Sequence, residues 1–202
     1  MVKIILLLAI AMLIAGTYNA LTLPAKIEIY RIVFLHIPSA ITSYIAFTVS
    51  FIYSISFLRS GSLEKDAIAS TSARFGFIMI IIAFLSGAIW AKETWGAYFT
   101  WYEIREVIVL LMIFIYAIYF SIRNLVEEKA RISALYLIIA YITVPISYIS
   151  GFFAPLHPRP FEAGFSMEWR LNLILMLMAF ALLYASYMLI EKKKIDQKAH
   201  KA

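Results

Sequence analysis

The sequence contains no cysteine and few charged residues. Without cysteine, the chain of 202 residues has no disulfide, no thiolate metal site and no CxxCH motif. Charged residues make up 15% of the chain and hydrophobic residues 63%, and the mean hydropathy is +0.87. Charge this sparse does not cover the surface of a soluble domain, whereas apolar stretches of helix length are what a bilayer requires. The composition therefore predicts an integral membrane protein.

Several sequence motifs of catalysis are also missing. There is no glycine-rich phosphate loop, no HExxH and no GxSxG, so ATP hydrolysis, zinc proteolysis and serine hydrolysis within this chain are unsupported. The net charge of +6 comes mainly from lysines and arginines in the loops on one predicted side of the membrane, as is usual for the cytoplasmic side of membrane proteins. The charge therefore indicates membrane topology, and we expect no nucleic-acid partner. These absences favour a binding subunit over an enzyme.

The apolar stretches predict an all-α bundle of six transmembrane helices, which we take as a single membrane domain over 1–202. Pro38 suits the first turn of helix two, and Pro145 predicts a kink in helix five. The first stretch also has the length of a signal-peptide core, but no small-x-small cleavage site follows it, so a membrane span is favoured. The predicted helices cover 4–23, 37–58, 75–90, 107–122, 132–153 and 171–190, with polar loops at 59–74 and 123–131.

The distribution of positive charge predicts the orientation. Six helices place both termini on one side, and that side carries 12 of the 18 lysines and arginines. Because positive residues are retained in the cytoplasm, both termini are predicted to be cytoplasmic, as is the tail over 191–202. The segments 90–105 and 154–170, which hold all four tryptophans, are then predicted to lie at the outer face of the cell membrane.

The outer segment over 90–105, WAKETWGAYFTWYEIR, is unusually rich in aromatic residues. Trp95, Tyr98 and Tyr102 recur at i, i+3 and i+7, which predicts a short interfacial helix with one aromatic face. An aromatic belt that only anchors the protein in lipid is the alternative, and composition alone slightly favours it. Belts form at both membrane faces, and the predicted inner face has no tryptophan, which favours a shelf for a flat ligand.

Two histidines share this outer side, His36 before helix two and His157 after helix five. Neutral imidazole is a common ligand for iron and zinc. Zinc generally takes three or four protein ligands, whereas two histidines suffice for haem iron. Either histidine alone is better explained as a hydrogen-bonded loop residue, but their shared side beside the aromatic segment favours a joint role. We predict that both bind one haem iron.

Three local segments resemble the cytochrome c maturation protein C family (CcmC, also called haem exporter protein C). YRIVFLHIPSA and LHPRP are similar to the segments around its two haem-ligating histidines, which implies that role for His36 and His157. GAIWAKETWGAYFTW is similar to its tryptophan-rich WWD motif, and the likeness extends from residue 30 to the end of helix six. The motif implies a haem platform of Trp90, Trp95, Gly96, Tyr98, Phe99, Trp101 and Tyr102.

The match departs from the family pattern in several places. The usual Asp after the last tryptophan is replaced by Tyr102, with Glu103 and Arg105 displaced by one residue from the usual acid and arginine. Tyr98 and Phe99 occupy positions that are usually tryptophan. Contacts to haem propionates or to a partner are expected from Arg31, Lys92, Glu103, Arg105, Arg159 and Arg170.

The resemblance implies a haem-presenting subunit in the plasma membrane. It would hold non-covalent haem b at the outer face and pass it to a haem chaperone, alongside an ABC-type ATPase and a second membrane subunit. Any covalent chemistry would occur on the partner. Three alternatives stay open: a component of a WWD-type cytochrome c synthase, a b-type cytochrome subunit that exchanges electrons with quinone, and a structural or permease subunit without haem.

Overall fold

The computed structural model describes residues 2–125, 128–158 and 164–199 of the chain. Within these ranges the protein is all-α, and six segments are long and apolar enough to cross a membrane, as predicted. One of the six is made of two short helices, Lys129–Ala140 and Thr143–Ser150. The helices are α1 (Val2–Thr22), α2 (Val33–Ser60), α3 (Leu63–Trp95), α4 (Ile104–Leu125), α5 (Lys129–Ala140), α6 (Thr143–Ser150) and α7 (Met167–Ala199), with a 3₁₀ turn at Glu28–Ile32 before α2.

The antiparallel pair α2 and α3 lies at the centre of the bundle and packs against two groups of helices. On one side, α4, α5 and α6 enclose a core in which Phe47 stacks on Tyr116 with ring centres 3.7 Å apart. On the other side, α1 and α7 enclose a second core around Phe34, Trp169 and Phe180. The central pair therefore contributes to both cores.

Helix α1 is bonded to the rest of the bundle near its C-terminal end. The Asn172 side chain donates to the carbonyl of Gly16 at 3.0 Å, and Arg31 donates to the carbonyls of Ala20 and Leu23, each at 2.6 Å. The carbonyls of Ala20 and Leu23 lie at and just after the end of α1, where no later helical N–H is available, and Arg31 satisfies them. The contacts agree with α1 as a membrane span of the folded bundle.

Several predicted boundaries are wrong. Helix α3 begins at Leu63 and not at residue 75, because the polar stretch that was predicted to be a loop is helical. Glu64 and Asp66 lie in the first turn of the helix, where the helix dipole favours negative charge. Helix α2 begins at Val33, so Pro38 lies inside the helix and His36 lies in its first turn. Helix α7 continues past residue 190 to Ala199, so the described part of the lysine-rich tail is helical.

The kink predicted at Pro145 is confirmed as a break between α5 and α6. Proline has no N–H to donate to the carbonyl of Tyr141, four residues earlier. That carbonyl instead accepts the N–H of Val144 at 2.9 Å. The tighter turn separates the two helices, and α6 is followed along the chain by the segment that carries His157.

The interfacial helix predicted between helices three and four is absent from the described residues. Helix α3 continues through Trp95 and ends at Gly96, whose φ of 87° is a left-handed conformation that glycine adopts readily. The chain from residue 97 to residue 103 is non-helical until α4 starts at Ile104. Trp95 therefore belongs to a helix, while Tyr98 and Tyr102 lie in a loop.

Candidate functional site

His36 is oriented by the backbone of α3. Its Nδ1 lies 2.9 Å from the carbonyl oxygen of Ala83 and 3.2 Å from the hydroxyl of Ser86. In the neutral tautomer with its proton on Nδ1, the ring donates to the carbonyl and its Nε2 keeps a lone pair. A histidine that binds a metal commonly donates its other ring nitrogen to a backbone carbonyl in this way.

Gly87 provides the space for this ring. A Cβ at that position would lie 3.0 Å from Cε1 of His36 and 3.4 Å from its Nδ1. Ala83, Ser86, Gly87 and Trp90 follow one face of α3 at helical spacing. Ala83, Ser86 and Gly87 were not predicted as site residues, although small residues spaced along a helix are a sign of close packing.

His157 lies after α6 in the segment that returns toward α7. Its backbone N–H and that of Leu156 donate to Oε2 of Glu103, at 3.2 and 2.9 Å. Its Nδ1 lies 2.8 Å from the carbonyl of Pro158 and 3.4 Å from Nη1 of Arg105. Burial, and next the positive charge of Arg105, lower the pKa of His157 to about 3. The imidazole is therefore neutral at physiological pH, as metal binding requires.

The structure brings the two histidines together. Their ring centres are 6.3 Å apart and their planes make an angle of 40°. Two imidazoles that bind one metal ion from opposite sides, each at about 2 Å, have ring centres about 6 Å apart. No group of three or more His, Cys, Asp or Glu suited to a metal occurs in the described ranges. The donor set thus fits a metal that brings its own equatorial ligands, as haem iron does.

Only part of the predicted aromatic platform lies beside the histidines. The Trp90 ring centre is 6.2 Å from that of His157, and Trp95 meets Trp90 edge-on at 5.1 Å. The indole N–H of Trp95 is buried and has no hydrogen-bond partner. It is therefore a free donor beside Trp90, the residue that adjoins His157. Trp90 and Trp95 are therefore the predicted platform residues that adjoin the histidines.

The other platform residues form an exposed surface. The side chains of Tyr98, Trp101 and Tyr102 are 62%, 77% and 72% exposed. Phe99 is half-buried and packs edge-on against Trp101 at 5.0 Å. These residues, from Tyr98 to Tyr102, are called the aromatic loop below. Gly96 ends α3 just before this loop and contributes no side chain.

Of the positively charged residues predicted to contact haem propionates, one lies near the histidines and others are bonded elsewhere. Arg105 remains next to the histidines. Arg31 is not available, because its guanidinium is bonded to Glu28 and to the end of α1. Lys92 caps the end of α3 by donating to the carbonyl of Gly96 at 3.0 Å, and Arg170 donates to the carbonyl of Phe165 at 3.0 Å. Arg159 lies outside the described residues.

Glu103 is predicted to contact a propionate or a partner, but its side chain lies inside the protein. The carboxylate is fully buried and its oxygens accept backbone N–H groups, so contact with an external group would require these bonds to open. The role was not visible in the sequence, because its partners at residues 156 and 157 are distant along the chain. An acidic residue directly before a helix is, however, a recognisable N-cap signal.

Comparison with known proteins supports a relationship over this same region. The family model described as cytochrome C assembly protein matches residues 1–157, which include both histidines and the aromatic loop. A putative cytochrome c biosynthesis ccmC-like mitochondrial protein of Marchantia polymorpha is 27% identical over 163 residues. That match covers 79% of this chain and 68% of the Marchantia protein.

Proteins named cytochrome c biogenesis protein CcsA match a shorter region. The CcsA of Pelargonium hortorum is 35% identical over 100 residues, covering 49% of this chain and 31% of the relative. The CcsA of Synechococcus sp. (strain CC9902) is 31% identical over 86 residues, covering 43% of this chain and 28% of the relative. The aligned region thus spans less than a third of these two relatives.

The family match covers well over half of the chain, and the predicted resemblance to CcmC is confirmed by the family model and by the ccmC-like relative. The six apolar helices agree with a multi-pass membrane protein. The chain belongs to the cytochrome C assembly protein family and has a role in cytochrome c maturation.

Proposed function

We propose that this protein binds one haem b non-covalently between His36 and His157, outside the cytoplasm, and presents it for transfer. The observation that carries the proposal is the 6.3 Å separation of the two imidazole rings, which come from elements far apart in the sequence. The bond from His36 to the Ala83 carbonyl adds to it, because it leaves Nε2 free to bind iron. The positive-charge distribution supports the outer location.

The residues around the histidines have separate roles in this proposal. Trp90 and Trp95 supply an apolar wall, and the unpaired indole N–H of Trp95 supplies a donor. Arg105 supplies a positive charge beside His157. When bound, haem supplies an iron with two open axial positions.

The proposed partner surface is the aromatic loop. Exposed tyrosine and tryptophan side chains are the residue types that dominate the energetics of protein interfaces. The haem chaperone of cytochrome c maturation is the proposed recipient, with an ABC-type ATPase and a second membrane subunit as further partners. The chain itself is proposed to transfer haem without covalent chemistry.

A synthase component is the second candidate, favoured by the CcsA relatives, one of which matches 49% of the chain. The two candidates differ in the recipient of haem. Haem-loaded protein in nanodiscs is mixed with purified haem chaperone or with apocytochrome c. Loss of haem to the chaperone alone supports presentation, and a covalent product with apocytochrome supports a synthase.

The haem site is tested by an absorbance spectrum of the detergent-purified protein from haem-replete cells. We expect the spectrum of six-coordinate haem in the wild type and strongly reduced haem content in His36→Ala and His157→Ala. His200→Ala, which removes the third histidine of the chain, is the control and should retain the wild-type spectrum. Wild-type spectra in both site variants would rule out the axial roles. Rapid reduction by quinol would instead favour a b-type cytochrome.

A further inference from the structure

Glu103 is a fully buried carboxylate in a chain with few charges. A buried charge is costly unless hydrogen-bond donors surround it. Three backbone N–H groups converge on its oxygens. Those of Leu156 and His157 lie at 2.9 and 3.2 Å, and that of Arg105 lies at 3.4 Å. The carboxylate is thus held by the two segments that carry the site.

The first of these segments is the start of α4. Glu103 directly precedes Ile104, the first residue of the helix, and its carboxylate accepts from Arg105 as an N-cap side chain does. A negative charge at this end is also favoured by the helix dipole. These interactions fix Glu103 relative to α4, so the carboxylate is a rigid anchor point.

The second segment carries His157. Because consecutive N–H groups at residues 156 and 157 donate to one carboxylate oxygen, the orientation of the backbone that bears the imidazole is determined by Glu103. Arg105 contacts the same segment at a second point. A Cβ on Gly151 would lie 2.6 Å from Nη1 of Arg105, so the guanidinium packs directly on that glycine.

We propose that Glu103 is a positioning residue that holds His157 opposite His36, at the distance at which both imidazoles reach one iron. The inference rests on the proposed function for its haem readout, but Glu103 also acts on the chain without haem. Its carboxylate bonds to backbone N–H groups, and among the described residues it makes no hydrogen bond to either imidazole. Its effect passes only through the N–H groups of the His157 segment.

The first test uses haem-free protein. Hydrogen exchange of the peptide covering 151–158 is measured in the wild type, Glu103→Gln and Glu103→Ala. Hydrogen bonds to a charged group are stronger than neutral ones, so exchange at residues 156 and 157 should accelerate about tenfold or more in Glu103→Ala. Glu103→Gln keeps an acceptor but loses the charge, and it should show an intermediate increase.

Glu106→Gln is the matched control. Glu106 lies in the first turn of the same helix, and its carboxylate accepts the N–H of Thr100 at 3.0 Å, on the aromatic-loop side. Its substitution should leave exchange over 151–158 at the wild-type rate. Equal acceleration in the Glu103 and Glu106 variants would overturn the proposal, because it would indicate a general loosening of α4.

The second test uses haem-loaded protein. Glu103→Ala should lower the haem content toward that of His157→Ala and convert the haem that remains to a five-coordinate form with His36 still bound, and added imidazole should restore the six-coordinate spectrum. In a His157→Ala background, Glu103→Ala should add no further change, because it acts through His157. A further loss in that background would overturn the positioning role.

The two proposals fail differently. A wild type without haem would remove the proposed function, while the haem-free exchange measurement would still test Glu103. A wild type with six-coordinate haem that persists in Glu103→Ala and Glu103→Gln would remove this inference alone. If Glu103→Ala does not fold, Glu103→Gln decides, since the amide has nearly the same size and shape.

Discussion

The Nδ1 of His36 lies 2.9 Å from the carbonyl oxygen of Ala83, although the two residues are on different helices. This bond fixes the imidazole of α2 to the backbone of α3, the helix that also carries Trp90. The orientation of His36 is therefore set by helix packing and does not depend on a loop. His157, by contrast, is held through the backbone of a segment outside the helices.

Gly87→Ala should weaken haem binding without weakening the fold. The new Cβ would lie 3.0 Å from Cε1 of His36, so the ring must shift by a few tenths of an ångström. Alanine is a better helix former than glycine by about 1 kcal/mol, so we expect unchanged or slightly higher thermal stability with haem retention reduced severalfold. Both are measured on detergent-purified protein.

The control for that substitution is Gly164→Ala, because a Cβ there would have nothing within 4 Å. It should behave as the wild type in both measurements. Full haem retention in Gly87→Ala would contradict the close packing of Gly87 on the imidazole.

The haem spectrum should be constant from pH 8 down to about pH 5. Burial and Arg105 lower the pKa of His157 to about 3, whereas the imidazole of an unfolded chain titrates near 6.5. Neutral His157 therefore contributes its full stability above pH 6.5, and the contribution decreases as the pH falls toward 3. An absorbance titration checks this, and loss of six-coordinate haem with a midpoint near 6.5 would contradict it.

Arg123→Ala should strongly destabilise the bundle. Arg123 donates to both carboxylate oxygens of Asp66, at 2.9 and 2.6 Å, and joins α4 to the start of α3. Their side chains are 20% and 10% exposed. Removing one partner of a buried ion pair costs about 3–5 kcal/mol, because the other charge stays buried alone. Reversible unfolding in mixed micelles measures this loss.

The exposed pair of Lys192 and Glu64 is the internal comparison for that experiment. Its atoms are 3.9 Å apart and both side chains are about half exposed. Lys192→Ala should change the free energy of unfolding by less than about 1 kcal/mol. If Arg123→Ala also lowers the free energy of unfolding by less than about 1 kcal/mol, the pair of Arg123 and Asp66 is not buried in the membrane-embedded protein.

The existence and number of the spans could be predicted because hydropathy depends only on composition within a window. The ends of the helices could not. The polar residues after Leu63 resemble a loop in the sequence, yet Asp66 has Arg123 as a partner, and serines such as Ser72 bond to other helices. Those partners are defined only once the helices have packed.

The candidate site could also be predicted only in part. His36 and His157 could be chosen from residue type and shared membrane side, and the structure places them together. The i, i+3, i+7 pattern failed for the aromatic segment, because Gly96 ends one helix and Glu103 begins the next. Periodicity indicates which residues would share a face, but not whether the helix is interrupted.

Glu103 also directly follows the aromatic loop along the chain. The residues directly before it, Trp101 and Tyr102, are the most exposed part of the aromatic loop, while its own carboxylate holds the segment of His157. If the proposed recipient docks on these two rings and shifts their backbone, the shift would also reach Glu103 and the bonds that hold the His157 segment. Under the proposed function, docking would then favour release of haem through one peptide bond.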